Sequence, residues 1–237
     1  MGQSGGRLLP FYLVIDVSAS MASDGKLEAV DAIMPAVTEA LARNPAVSGK
    51  VRFGLIDFAG TASVRLPLCD VLEDGLGLPR LTARDGTRYA AAFTLLQREI
   101  EADVAQLKAN GFVVHRPAVW FISDGAAADD PADWQAAFKR LTTCRVYPNV
   151  IPCGVDAART DVMGALVHPP AGPRKAALYM MEPGTHPAKA ITSITEIIIS
   201  SAIQSGYCLG HGDTGVILPR MADLPAGVTQ LDPDDVL

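Results

Sequence analysis

Residues Phe11 to Val17 (Phe-Tyr-Leu-Val-Ile-Asp-Val) constrain this chain more than any other stretch. The run is apolar without alternation until Asp16, so it reads as a strand covered on both faces, as at the centre of a parallel sheet. Parallel neighbours need crossover connections, usually helices. Ser23-Asp24-Gly25 gives a helix start, and Leu27, Val30, Ile33, Met34, Val37 and Leu41 form an apolar stripe. Pro35 falls inside that stripe and should interrupt the helix, since an interior proline costs about 3 kcal/mol.

Strand and helix patterns alternate through the rest of the chain. Residues 51–58 read as a strand, with 63–66 as its hairpin partner at a sheet edge. A long connection over 67–86 precedes a helix over 87–109, closed by Asn110-Gly111. Strands are expected at 117–123, 144–152 and 176–181, and helices at 131–142, 156–167 and 187–204. This predicts an α/β fold: a doubly wound, mostly parallel sheet with one antiparallel edge strand and helices on both faces. The domain should occupy residues 8–204. Residues 205–237, rich in Gly, Pro and Asp, form a C-terminal extension that packs on the domain or stays flexible.

Composition narrows the function. With 237 residues, 49% of them hydrophobic, the chain can bury a full core. No run approaches the roughly 18 apolar residues of a membrane helix. The formal net charge is −6 and no Lys/Arg cluster exceeds two residues, which disfavours nucleic acid as a partner. Cys69, Cys144, Cys153 and Cys208 stand far apart, as buried thiols of a reducing compartment would. Cys208-Leu209-Gly210-His211 has the look of a metal-ligand pair, but no second pair completes a zinc site. The amino terminus lacks the basic-then-apolar layout of a secretory signal, so a cytoplasmic protein with no membrane contact is expected.

The chemistry concentrates where strands end. Asp16, Ser18 and Ser20 place short oxygen groups at every second position as the first strand leaves its sheet. Asp85-Gly86-Thr87 opens the long helix, and Ser123-Asp124-Gly125 ends another apolar strand. In a doubly wound sheet, strand carboxyl ends gather at one edge, and ligands bind where strand order reverses. Oxygen groups of Asp16, Ser18, Ser20, Thr87 and Asp124 from three loops suit a hard divalent cation. Each piece also has a plainer role: Asp16 and Ser18 as turn caps, Thr87 as a helix N-cap, Ser123-Asp124-Gly125 as an ordinary turn.

These three pieces together resemble the metal-ion-dependent adhesion site (MIDAS) of von Willebrand factor A (VWA) domains. Asp16-Val17-Ser18-Ala19-Ser20 matches the DxSxS signature, Thr87 falls at the distal threonine and Asp124 at the distal aspartate. The resemblance implies a Mg²⁺ or Mn²⁺ ion held by the hydroxyls of Ser18 and Ser20, by Thr87 in at least one state, and by Asp16 and Asp124 directly or through water. A Glu or Asp of a partner protein would then fill the open position. Leu13 to Met21, Asn44-Pro45, Val51 to Phe58, Leu66-Pro67-Leu68 and Gly86 to Leu96 look like the bacterial tellurite-resistance-associated, TerY-like group. That likeness covers roughly residues 8–204. It implies an adaptor or scaffold in a stress or defence system, with kinases, phosphatases or other tellurite-resistance proteins as partners.

Three function classes follow. A metal-dependent protein-binding module would place specificity in loops 21–25, 59–62, 80–88 and 125–131, with Arg84 and Arg88 either attracting an acidic partner or simply solvated. A metal-dependent hydrolase or phosphatase is disfavoured: Ser18 stands where a second Asp would be needed, and there is no P-loop. His115, His168, His186 and His211 precede a strand, sit in a Pro-rich loop, start a helix and lie in the tail, away from the strand ends. A cell-surface adhesion module fits poorly with the scattered cysteines and the absent signal pattern.

Overall fold

A strand apolar on both faces must be covered twice. The computed structural model, which describes residues 5–73, 75–125, 127–170, 176–210 and 215–232, covers it from both sides. Strand β1 (Arg7–Asp16) is buried from Leu8 onward. It lies between β2 (Val51–Phe58) and β5 (Ala118–Ser123), parallel to both. The short β4 (Val113–Val114) pairs with the start of β1. Beyond β5 come β6 (Asn149–Gly154) and β7 (Leu178–Met181), also parallel. With β3 (Ala62–Cys69) and β8 (Val228–Leu231) at the edges, the order is β3-β2-β1-β5-β6-β7-β8. The predicted antiparallel edge is β3 (Ala62–Cys69), paired with β2. A second antiparallel strand, β8 (Val228–Leu231), closes the opposite edge on β7. Four residues set among Gly, Pro and Asp carry too little pattern to announce it.

The helices form two layers. On one face α4 (Tyr89–Ala109) packs on α5 (Pro131–Thr143); on the other, α1 (Lys26–Asp31), α2 (Ile33–Ala42) and α3 (Pro45–Ser48) pack on α7 (Pro187–Gly210). A short helix, α6 (Thr160–Gly164), follows β6. The break expected near Pro35 falls at Ala32, between α1 and α2. Pro35 thereby sits in the first turn of α2, where its missing N–H would have no intrahelical partner.

Several boundaries move: α6 spans only Thr160–Gly164 of the helix expected over 156–167, and β7 begins at Leu178 rather than 176. The strand expected over 144–152 starts only at Asn149, because Tyr147 N donates to Cys144 O in a turn (3.2 Å) and Pro148 has no N–H for a ladder. The last helix runs through position 205 to Gly210. Its buried Ser201 donates to Ile217 O (2.6 Å), and Ser205 Oγ accepts from Ile217 N (2.8 Å), tying residues 215–232 to the domain. His211 and residues 233–237 lie outside the described residues. All four cysteines are free thiols. Among the described residues no helix is long and apolar enough to cross a membrane.

An aromatic layer between β5 and α4 supports the carboxyl end of the sheet. Phe121 stacks on Phe58 (ring centroids 5.1 Å) and meets Tyr89 edge-on (4.9 Å), while Trp134 of α5 closes on Tyr89 (6.1 Å). Removing Phe121 to Ala should destabilise by about 3–5 kcal/mol, the cost of a large aromatic void; chemical denaturation would measure it.

Opposite the aromatic layer's end of the sheet, the backbone of His168 bridges to that of Val150 in both directions (2.7 and 3.1 Å). Its ring meets Tyr147 edge-on. Burial, then the Arg116 charge, hold this imidazole below the ordinary histidine range. The folded state therefore favours neutral His168. Stability should be full above pH 6.5, the ordinary value, and fall as pH drops through the folded value. His168→Gln should flatten that part of a stability–pH curve.

Candidate functional site

Strand order reverses at β1, with β2 and β3 to one side and β5 onward to the other. The carboxyl ends of β1 and β5 therefore open one crevice. Ile15 pairs with Ile122, which brings Asp16 beside Ser123. Asp16 is fully buried; its Oδ1 accepts from Ser18 N (2.8 Å) and its Oδ2 from Ser123 Oγ (2.6 Å). Ser123 Oγ in turn lies 3.0 Å from the Tyr89 hydroxyl, which donates to Gly125 O at 2.9 Å. Burial pushes Asp16 up to about 6 against the pull of the Ser123 and Ser18 hydrogen bonds. Burial also drives Tyr89 up, so its hydroxyl stays a donor beneath the site.

The other ligand candidates join this pair. Ser18 Oγ and Ser20 Oγ stand 3.1 Å apart, and Ser20 Oγ donates to Asp124 Oδ1 (2.7 Å). Asp16, Ser18, Ser20 and Asp124 are thus linked by hydrogen bonds, Asp16 through the Ser18 N–H and the other three through their side-chain oxygens. Ser20 is exposed; the other three are buried. Among the described residues no histidine joins it.

Thr87 reaches the same rim through its backbone. Its carbonyl accepts from Ala128 N (2.7 Å), and the loop before it is pinned by Gly60 N to Asp85 O and Arg88 N to Ala59 O, both 2.8 Å. That close approach requires Gly86, whose φ is +86° and whose Cβ would stand 2.9 Å from Gly60 Cα. The side chain of Asp129 caps α4 from another loop, accepting from Tyr89 N (3.2 Å) and Ala90 N (2.7 Å). Arg88, the residue before the helix, makes no side-chain cap of its own. Asp129→Ala should cost about 1 kcal/mol, as loss of an N-cap does, and thermal unfolding would register it.

Several residues here escaped sequence reasoning. Lys26, the first residue of α1, is 1% exposed and lies 2.6 Å from Asp124 Oδ2 and 2.5 Å from Asp156 Oδ2. Asp57 at the end of β2 is also buried, with Arg84 Nη2 donating to its Oδ1 at 2.6 Å and Arg65 Nε forming an ion pair with its Oδ2 at 3.6 Å. Arg84 is therefore engaged as a counter-ion, and its N–H also donates to Val17 O (2.8 Å). Arg88 is the exposed one of the two arginines.

The donor chemistry fits a hard divalent cation. Two carboxylates and two hydroxyls are hard oxygen donors. Asp124 Oδ2 is buried, with the Lys26 ammonium 2.6 Å away. Among the described residues no three His, Cys, Asp or Glu side chains cluster to hold a metal, so any cation here must draw on hydroxyls.

With that geometry in hand, relatives are informative. Residues 11–126 match the family model for the von Willebrand factor type A domain. No curated protein matches the chain by sequence. Among solved structures, a von Willebrand factor type A protein from Catenulispora acidiphila superposes with a TM-score of 0.62 at 13% identity, over 83% of this chain and 43% of that one. The pilus adhesin SpaC of Lactobacillus rhamnosus GG, in its open conformation, gives 0.64 at 12%, over 85% and 31%. Proximal thread matrix protein 1 from the mussel byssus, solved with zinc in its MIDAS motif, gives 0.56 at 13%, over 87% and 50%. The chain thus spans half or less of the length of these proteins, and at such identities the likeness concerns the fold.

Proposed function

We propose that this chain, whose residues 11–126 match the family model for the von Willebrand factor type A domain, is a metal-dependent protein-binding module. Asp16, Ser18, Ser20, Thr87 and Asp124 would hold Mg²⁺ or Mn²⁺, and a Glu or Asp of the partner would complete its shell. The observation that carries this reading is the hydrogen-bonded set of four oxygen-bearing residues, two of them buried carboxylates, at the point where strand order reverses. VWA domains generally act in protein interaction and adhesion, and zinc occupies the MIDAS of the mussel protein.

The bound cation supplies positive charge for a partner carboxylate. The chain's own residues do the rest. Asp16 is locked by Ser18 N and Ser123, Ser123 rests on Tyr89, and Tyr89 is seated in the aromatic layer. Such preorganisation leaves little side-chain entropy to lose on binding. The loops around 21–25, 59–62, 80–88 and 125–131 would then choose the partner. The TerY-like resemblance supports an adaptor role in a bacterial tellurite-resistance or stress system, with a kinase, phosphatase or other resistance protein as partner.

Affinity capture from a bacterial lysate tests the reading, with wild type and Asp16→Ala, each in Mg²⁺ and in EDTA. A partner retained only by wild type with Mg²⁺ is the expected result. Equal capture in all four conditions would show that no cation mediates recognition.

A further inference from the structure

Lysine is among the least expected residues at a buried helix start. A cation in the first turn opposes the helix macrodipole, and an ammonium removed from water must be paired. Lys26 accepts both penalties, and two carboxylates offset them. Asp124 comes from the loop after β5 and Asp156 from the loop after β6, so Lys26 ties three strand ends together. Asp156 holds a left-handed backbone, φ +53°, and keeps its side chain 40% exposed.

The ion pair also divides the two oxygens of Asp124. Oδ1 faces Ser20 Oγ at 2.7 Å, while Oδ2 faces the Lys26 ammonium at 2.6 Å. The carboxylate cannot turn without breaking one contact. We propose that Lys26 is a positioning residue that sets the charge of the metal site: it presents Asp124 through one oxygen, cancels one carboxylate charge, and so restrains cation affinity and preserves positive charge for the partner's acidic side chain. Counting Asp16, Asp124 and Asp156 as −1 each and Lys26 as +1, the group carries −2, equal and opposite to a divalent cation; without Lys26 it carries −3. This inference rests on the metal reading above.

The test is calorimetric titration of the full chain with Mn²⁺, alongside melting of the metal-free protein. Lys26→Met should bind Mn²⁺ about tenfold more tightly, because a repelling charge within contact range of a ligand carboxylate is gone. The same variant, metal-free, should melt below wild type, since Asp124 and Asp156 lose their counter-ion. Asp156→Asn, which keeps a residue tolerant of positive φ, should bind about threefold more weakly, since Lys26 then acts on Asp124 undivided. A merely structural lysine would not move the two affinities in opposite directions. Unchanged or weaker Mn²⁺ binding by Lys26→Met, with wild type binding, overturns the inference alone. If Lys26→Met does not fold, Asp156→Asn decides: weaker binding supports the inference and unchanged or tighter binding overturns it. A wild type that binds no Mn²⁺ overturns the metal reading and this inference with it.

Discussion

Mg²⁺ or Mn²⁺ at a hundredfold excess over its Kd should raise the melting temperature of the metal-free protein by roughly 5–10 °C. The magnitude follows from linkage: a ligand at that excess contributes about 2.7 kcal/mol, and a domain of this size shifts by roughly 2–4 °C per kcal/mol. Asp16→Asn should abolish the shift. Asp16 is the most deeply buried of the proposed ligands, and it is held in water-excluded surroundings by one backbone N–H and one serine hydroxyl. Burial is the main reason its carboxyl stands at about 6. A dication beside it would remove that penalty, whereas an asparagine offers only a neutral oxygen. The isosteric change keeps the acceptor for Ser18 N, so circular dichroism should match wild type. Differential scanning fluorimetry with and without cation reads the result. A full shift retained by Asp16→Asn would take Asp16 out of the site, and no shift in wild type would remove the metal reading itself.

How legible such a site is in sequence depends on the range of the contacts that build it. Asp16, Ser18, Ser20 and Asp124 stand at the ends of apolar runs, and the topology of a doubly wound sheet brings strand ends together. Local pattern plus one fold rule therefore suffices to bring these four to one crevice. Pro35 is legible for the same reason, since its missing N–H is a local property. Lys26, Asp129 and Asp57 are not. Each acts through a partner far along the chain: Lys26 with Asp124 and Asp156, Asp129 with the start of α4, Asp57 with Arg84. No spacing encodes those pairs, and a lysine ahead of an apolar stripe reads as a solvated helix end until the fold buries it. Strand β8 was hidden differently. It is recruited by the open edge of β7; Val228 and Thr229 favour a strand, but four residues between Gly227 and Asp232 are too short a run to announce one.

Arg84 and Arg88 show the same contrast, and their substitutions should separate by a large margin. Both flank the crevice in sequence, and both are candidates for drawing an acidic partner. In the fold, Arg84 is the principal counter-ion of a carboxylate that is 1% exposed, at 2.6 Å, while Arg65 stands off at 3.6 Å. Burial pushes Asp57 up although both arginines pull it down, which shows that desolvation outweighs the two counter-charges even when both are present. Arg84→Met would leave Asp57 with the distant Arg65 only. It would also loosen the loop whose N–H anchors to Val17 O between two proposed ligands. Opening a buried ion pair from one side costs roughly 3–5 kcal/mol. Because the Arg84 side chain is 32% exposed, the lower end applies, about 3 kcal/mol or near 10 °C in melting temperature. Arg88→Ala removes an exposed side chain and should leave stability within about 0.5 kcal/mol. Its effect should appear instead as a slower, less salt-sensitive association with an acidic partner. Melting curves of the two variants, followed by association rates at two ionic strengths, separate the roles. An Arg84→Met variant as stable as wild type would mean that Asp57 does not depend on Arg84.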